Sequence, residues 1–255
     1  MFTTPLLSII QARIQQKYRT ISYPKGDPPE LPDRFLGKPF LKETLCNAEC
    51  NECIQICPVE ALFQDQGKLT LDLGRCVFCG ACSEKCSDTY ITFSKDFRLA
   101  TSTREALQIR PGESRPIDVF PPRPLFKRSF KLRQVSAGGC NACEADCNVL
   151  STVGWDLGRF GIQFVASPRH ADGILVTGPV TKNMKIALEK TYLAVPSPKV
   201  VIAVGACAIS GGPYKDHPEQ HNGVSSLLPV DLYIPGCPPH PLTILEGLLR
   251  FLGRV

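Results

Sequence analysis

No apolar stretch of this 255-residue chain reaches the length of a membrane span before charge or proline interrupts it, so no transmembrane helix is expected. The opening MFTTPLLSIIQAR lacks a basic n-region, a twin arginine and a small-residue cleavage site, and the chain is expected to stay in the cytoplasm. A G-x-G-x-x-G turn after a strand and a Walker loop are both missing, which leaves dinucleotide and nucleotide binding unsupported. Lys and Arg, 29 against 24 Asp and Glu, are scattered rather than gathered into a stripe with aromatics. The formal charge of +5 is therefore no nucleic-acid signal.

What the chain has in excess is cysteine, with thirteen copies. In a reducing compartment such spacing reads as metal binding rather than as a disulfide framework. One run is Cys76, Cys79, Cys82 and Cys86, with two, two and three residues between; the other is Cys46, Cys50, Cys53 and Cys57, closed by Pro58. A C-x-x-C-x-x-C-x-x-x-C run used twice holds two iron-sulfur clusters, the fourth cysteine of each run crossing to the other cluster. That pattern predicts one cluster on Cys46, Cys50, Cys53 and Cys86, and a second on Cys76, Cys79, Cys82 and Cys57. Four-cysteine zinc sites use well-separated pairs instead. A third set is Cys140, Cys143, Cys207 and Cys237, with Cys147 left over as a substitute ligand or a buried structural thiol. Three oxidised four-iron clusters with their thiolates would each contribute about −2 and bring the loaded chain near neutrality.

The organisation divides the chain at residues 1–36, 37–99, 100–129 and 130–255. Leu6, Ile10, Ile14 and Tyr18 share one face of a predicted helix over residues 1–22. Docking on a neighbouring domain or subunit and lying in a membrane interface are both open for it. Prolines 24, 28, 29 and 32 lead as an extended arm into a duplicated cysteine unit. Prolines 111, 116, 121, 122 and 124 mark residues 100–129 as a surface linker. Short apolar strands at 131–136, 162–165, 173–177, 200–204 and 232–234 alternate with helical patterns at 181–193 and 241–252. They predict a mostly parallel sheet covered on both faces. Cys140, Cys207 and Cys237 each follow one of these strands, so the third set can meet at the carboxyl edge where open α/β sheets bind ligands. The fold class expected is an α+β two-cluster domain followed by an α/β domain.

The region with Gly37-Lys38-Pro39 before the runs and Cys57-Pro58-Val59-Glu60-Ala61-Leu62 after the first resembles the two-cluster ferredoxin subunits of complex I (the 23 kDa type) and of formate hydrogenlyase. It departs from them in the three residues Asn47, Ala48 and Glu49 between Cys46 and Cys50, and in Ser87-Asp88 after Cys86, where proline is usual. Residues 130–255 resemble the 20 kDa subunit of complex I and the small subunit of complex-I-related nickel-iron hydrogenases. The carrying motifs are Gly138-Gly139-Cys140-Asn141-Ala142-Cys143-Glu144, Arg159-Phe160-Gly161, Ser167-Pro168-Arg169-His170, Gly178-Pro179-Val180-Thr181, Gly205-Ala206-Cys207-Ala208 and Pro235-Gly236-Cys237-Pro238-Pro239. Complex I subunits carry adjacent cysteines at the first motif and hydrogenase small subunits C-x-x-C, so this chain sides with the hydrogenases. His240 stands where that family usually has arginine and is read as local variation, not as a metal ligand.

The resemblance implies a ferredoxin-like domain fused to a flavodoxin-like domain, holding three 4Fe-4S clusters. It implies an electron-transfer subunit, not catalytic alone, of a membrane-associated oxidoreductase on the cytoplasmic face of the inner membrane. Its partners would be a hydrogenase large subunit (the complex I 49 kDa type) and membrane-arm subunits. Glu144 is a proton-relay or interface residue by the same resemblance, or else a helix-start carboxylate facing the dipole. Arg159, Arg169 and His170 are candidates for the partner interface. The alternatives are the same relay in a quinone oxidoreductase or nickel-free complex, and a free-standing electron carrier.

Overall fold

A computed structural model describes residues 5–43, 51–86, 90–112, 120–121 and 123–255. The first described element is α1 (Pro5–Gln16), stopped where Lys17 takes φ 49°. The helix is shorter than the periodicity of residues 1–22 suggests, because residues beyond the stop run as an arm. That arm is fastened by the Ile21 N–H to the Gly154 carbonyl (2.9 Å) and by the Thr20 hydroxyl to the Val153 carbonyl (3.1 Å).

Next come β1 (Pro39–Leu41), α2 (Glu52–Gln55), β2 (Leu62–Asp65), β3 (Lys68–Asp72), α3 (Ala81–Lys85), β4 (Ile91–Phe93) and β5 (Gln108–Ile109). β1 pairs antiparallel with β4, and β3 lies between β2 and β5, both antiparallel to it. The β2–β3 hairpin turns on Gln66 and Gly67, both at positive φ, as a two-residue turn that follows the twist of its strands demands. Part of the segment expected to lie over the surface is thus a strand: Leu107 and Ile109 are buried, and Thr101 bridges Tyr233 of the following sheet. Proline content concealed this, since the prolines begin only after β5.

From β6 (Phe130–Ser136) the chain alternates through α4 (Ala142–Val149), β7 (Ile162–Phe164), β8 (Gly173–Thr177), α5 (Lys182–Ala194), β9 (Val200–Val204), α6 (Ala206–Ser210), β10 (Leu232–Ile234) and α7 (Pro241–Phe251). The five strands are all parallel in the order β10-β9-β8-β6-β7. Counted from β6 that is the 2-1-3-4-5 order of flavodoxin-like sheets, whose direction reverses between β6 and β8. Successive residues of β8 and β9 serve opposite faces. Leu175, Val200, Ile202 and Val204 pack with Leu150, Leu245 and Leu248, whereas Ile174, Val176, Val201 and Ala203 pack with Leu188 and Ile209. Burial on both faces is why these strands read as unbroken apolar runs.

The two halves meet along α6, the β10 edge of the sheet and α7. Ser210 donates to the Gly74 carbonyl (2.9 Å), Thr101 and Tyr233 exchange both backbone bonds (3.0 and 2.9 Å), and Arg250 donates to the Ala100 carbonyl (2.9 Å). Near that contact the buried Asp72 accepts two bonds from Arg104, at 2.7 and 2.6 Å, and one from the Gly74 N–H at 2.8 Å.

Candidate functional site

Three strands of the parallel sheet end in loops that carry cysteine. β6, which borders the reversal of strand order, leads to Cys140 and Cys143, β9 to Cys207 and β10 to Cys237, all at the carboxyl edge. Cys143 and Cys207 sit in the first turns of α4 and α6. Gly205, at φ +89°, brings the backbone so close to Cys143 that a Cβ there would lie 2.5 Å from its Sγ. A side chain at Gly212 would lie 2.9 Å from the Cys207 Sγ. Both sulfurs are therefore cradled by backbone that only glycine permits. Cys207 is buried, Cys143 half-buried, and Cys140 and Cys237 are exposed at the rim.

Burial pushes the Cys207 thiol up to about 12, and the neighbouring Cys237 and Cys140 push it the same way. Cys143 is raised further, by burial and then by Cys207, Cys147, Glu144 and Cys237. Cys237 is raised by burial and by Cys140. The four thiols thus lie within one another's fields, a gathering that favours neutral thiols until a positively charged iron centre compensates the thiolates.

Glu144, 5% exposed, turns inward beneath this loop. Its Oε1 accepts from the Ser136 hydroxyl and the Thr177 hydroxyl, both at 2.6 Å, so it ties the ends of β6 and β8 together. Cys147 is wholly buried in the core on the α4–α7 side, its thiol pushed up by burial to about 12. His240 caps α7, its Nδ1 accepting from the Leu242 N–H at 3.1 Å. Arg159, expected at a partner interface, holds this chain's own arm through the carbonyls of Ile21 (2.7 Å) and Tyr23 (2.8 Å). Arg169 and His170 are exposed on a short 3-10 turn, Pro168–His170.

Of the eight cysteines in the two runs, Cys46 and Cys50 lie outside the described residues. Cys57, Cys76, Cys79 and Cys82 line one concavity of about 310 Å³, walled by Val59, Leu71 and Phe93. Burial pushes Cys76 up to about 12 and Cys82 up to about 11, with the other thiols of the set adding to each. Backbone N–H groups already point at sulfur here: Ala61 at Cys57 (3.2 Å) and Phe78 at Cys76 (3.3 Å). Such bonds stabilise thiolate and tune the potential of a bound cluster. Cys53 lies in α2 and Cys86 just past the end of the adjoining α3, the two helices bridged by an ion pair between Glu52 and Lys85 at 3.6 Å. Tyr90 N–H points at the Cys86 sulfur at 3.3 Å. Among the described residues no three Cys, His, Asp or Glu side chains close on a single-ion position. Thiolates around a cubane bind different irons and stand farther apart, so both fully described sets suit a cluster in their donor chemistry and in their cradles.

Between the Cys76–Cys82 loop and the Cys237 loop runs an open crevice of about 700 Å³, lined by Arg34, Phe35, Leu36, Val77, Phe78, Cys237 and His240 among others. Phe35 meets the His240 ring edge-on at 5.4 Å, and Leu36 reaches against Gly80. This wedge of arm residues had no signal in the sequence beyond an isolated apolar pair after Pro32.

The family model described as NADH ubiquinone oxidoreductase, 20 Kd subunit, matches residues 140–251. The chain is similar to the probable membrane-bound hydrogenase subunit mbhJ of Pyrococcus furiosus, 40% identical over 128 residues that cover 50% of this chain and 77% of that protein. Formate hydrogenlyase subunit 7 of Escherichia coli is 43% identical over 128 residues, half of each chain. An NADH-quinone oxidoreductase subunit of Bacteroides thetaiotaomicron is 43% identical over 116 residues, 45% of this chain and 59% of that protein.

Proposed function

Because the chain belongs to the family of the 20 kDa subunit of NADH ubiquinone oxidoreductase, we propose that it is the electron-transfer subunit of a membrane-associated, complex-I-related oxidoreductase of the nickel-iron hydrogenase type. The observation that carries this reading is the C-x-x-C pair Cys140 and Cys143, gathered with Cys207 and Cys237 at the carboxyl edge of the sheet. Cys140, Cys143, Cys207 and Cys237 would hold one 4Fe-4S cluster; Cys76, Cys79, Cys82 and Cys57 a second; Cys46, Cys50, Cys53 and Cys86 a third. When bound, such clusters take up and release single electrons. The residues of the chain orient and insulate them. Gly205 and Gly212 bring backbone up to Cys143 and Cys207, the Ala61, Phe78 and Tyr90 N–H groups face sulfur, and the Phe35–Leu36 wedge narrows the crevice between the Cys79 and Cys237 loops. The exposed Cys140 and Cys237 rim is the face for a catalytic large subunit, and the ferredoxin-like half supplies the route to the donor.

Anaerobic purification with iron and sulfide quantitation and electron paramagnetic resonance tests the reading, with about twelve irons and three reducible clusters per chain expected. Zinc in place of iron, or a single cluster, overturns it. Nickel in the co-purifying large subunit separates the hydrogenase reading from a quinone-reducing one, which the relative from Bacteroides thetaiotaomicron keeps as the second reading.

A further inference from the structure

The one element left without a task is α1. Leu7, Ile10 and Ile14 fall within one arc of the helix and stand 58%, 48% and 71% exposed, and Tyr18 just beyond it is 93% exposed. Apolar surface of this kind, contiguous and on a helix, marks a contact. Its charge says which. Residues 1–26 carry Arg13, Lys17, Arg19 and Lys25 and no acidic residue at all, the first being Asp27. A protein groove would leave four like charges needing acidic partners at specific places, whereas a bilayer of anionic lipid offers diffuse negative charge beside an apolar layer. At twelve residues α1 is well short of a span, which needs about 20. The arm behind it is fixed to the sheet domain by the Thr20, Ile21 and Arg159 hydrogen bonds, and exposed Val153 lies at that anchorage.

We propose that α1 lies in the headgroup region of an anionic bilayer, its Leu7–Ile10–Ile14 face turned to the acyl chains and Arg13, Lys17 and Arg19 to the phosphates. This goes beyond an assembly that contains membrane subunits, for it gives this chain a lipid contact of its own. The arm then becomes a tether that sets the cysteine-bearing domains at a fixed stand-off from the surface.

The cluster-loaded full chain, without partner subunits, is floated with vesicles of phosphatidylcholine alone or of phosphatidylcholine with one-quarter phosphatidylglycerol. Binding is expected on the anionic vesicles, weakened by salt, and weakened about tenfold or more both by Ile10→Asn with Ile14→Asn and by Arg13→Glu with Lys17→Glu and Arg19→Glu. Iron content of both variants, read on the same samples, should match the wild type, since α1 holds no cysteine. A chain that keeps its iron yet ignores anionic vesicles, or variants that keep iron and bind as well as the wild type, overturn the lipid contact. So does a chain that binds a purified membrane-arm subunit through these residues while failing to bind lipid. An iron-free wild type would instead refute the electron-transfer reading and leave the vesicle result standing by itself.

Discussion

Substituting Gly205 by alanine separates the third cysteine set from the rest of the molecule. The residue sits at φ +89°, and its added Cβ would stand 2.5 Å from the Cys143 sulfur. Ordinary non-bonded contact begins at about 3.5 Å, so sulfur or backbone must yield by roughly 1 Å. The backbone itself, at φ 89° and ψ 156°, is a conformation essentially reserved for glycine and adds a cost of about 1–3 kcal/mol. Gly67→Ala is the matched control, at φ +75° with no atom within 4 Å of its would-be Cβ. It places an alanine at positive φ, in a hairpin turn, without any collision. Expected for Gly205→Ala is a folded chain by far-ultraviolet circular dichroism with about eight irons in place of about twelve, and the resonance signals of two clusters retained. Gly67→Ala keeps all of them. Full iron and an unchanged spectrum in Gly205→Ala would refute the assignment of Cys143 as a ligand in that cradle. Equal loss in both variants would show that strain, not the sulfur contact, is responsible.

Cys57→Ser should remove the cluster of the 310 Å³ concavity while leaving the third set intact; loss of the resonance assigned to Cys46, Cys50, Cys53 and Cys86 instead would refute the crossed assignment. Asp72→Ala removes the partner of the partly exposed Arg104 near the joint between the halves and should cost about 1.5–3 kcal/mol, read as a lower denaturant midpoint, with no change in midpoint counting against the pair. Glu144→Gln keeps an acceptor for Ser136 and Thr177 and should leave stability nearly unchanged, whereas Glu144→Leu orphans the Ser136 hydroxyl, leaves Thr177 only its 3.5 Å bond to the Val135 carbonyl, and should cost about 1–3 kcal/mol; equal melting of the two would deny the tie. Tyr23 has its phenol raised from 10.0 to about 12 by burial and then by the Glu246 charge, against Arg250 and Arg98. Between those values the folded chain keeps a proton that the unfolded chain has lost, so stability falls as pH rises from 10 to 12. Tyr23→Phe should flatten that alkaline limb, and an identical limb in both proteins would remove the phenol from the account.

The strands of the parallel sheet were legible almost to the residue. Residues 173–177, 200–204 and 232–234 coincide with β8, β9 and β10, because buried parallel strands are short runs of branched apolar side chains bounded by glycine, proline or charge. The α1 periodicity overran, since Tyr18 repeats the spacing although the chain leaves the helix at Lys17. β5 was hidden by neighbouring prolines, and two residues carry no period to detect. Of the site, cysteine spacing picked out Cys140, Cys143, Cys207 and Cys237, which the sheet brings to one edge. It could not place Glu144 under Ser136 and Thr177, which come from two different strands, nor turn Arg159 back onto residues 21 and 23. Those contacts join positions far apart in the chain, and composition near either end says nothing about the other.

The cysteine sets therefore depend on the fold in different ways. In the two runs most of the cysteines lie within a dozen residues of one another, and short helices together with loop N–H groups aimed at sulfur arrange them. The third set spans Cys140 to Cys237 and exists only when β6, β9 and β10 are in register, because each loop starts where its strand ends. The single chain connects the two kinds of site through contacts that are themselves part of the sheet: the Thr101 bridge to β10, Ser210 of α6 on Gly74, and Arg250 of α7 on Ala100. β10 both leads into the Cys237 loop and receives the bridge from Thr101, so a displacement of the first half pulls on the strand that positions Cys237. The contacts between the two halves thus set their spacing through the strand that precedes Cys237. Thr101→Pro, which removes the N–H that bonds Tyr233 at 3.0 Å, should leave the isolated runs able to hold iron while broadening the resonance of the third cluster. An unbroadened signal would mean that the bridge does not control the site.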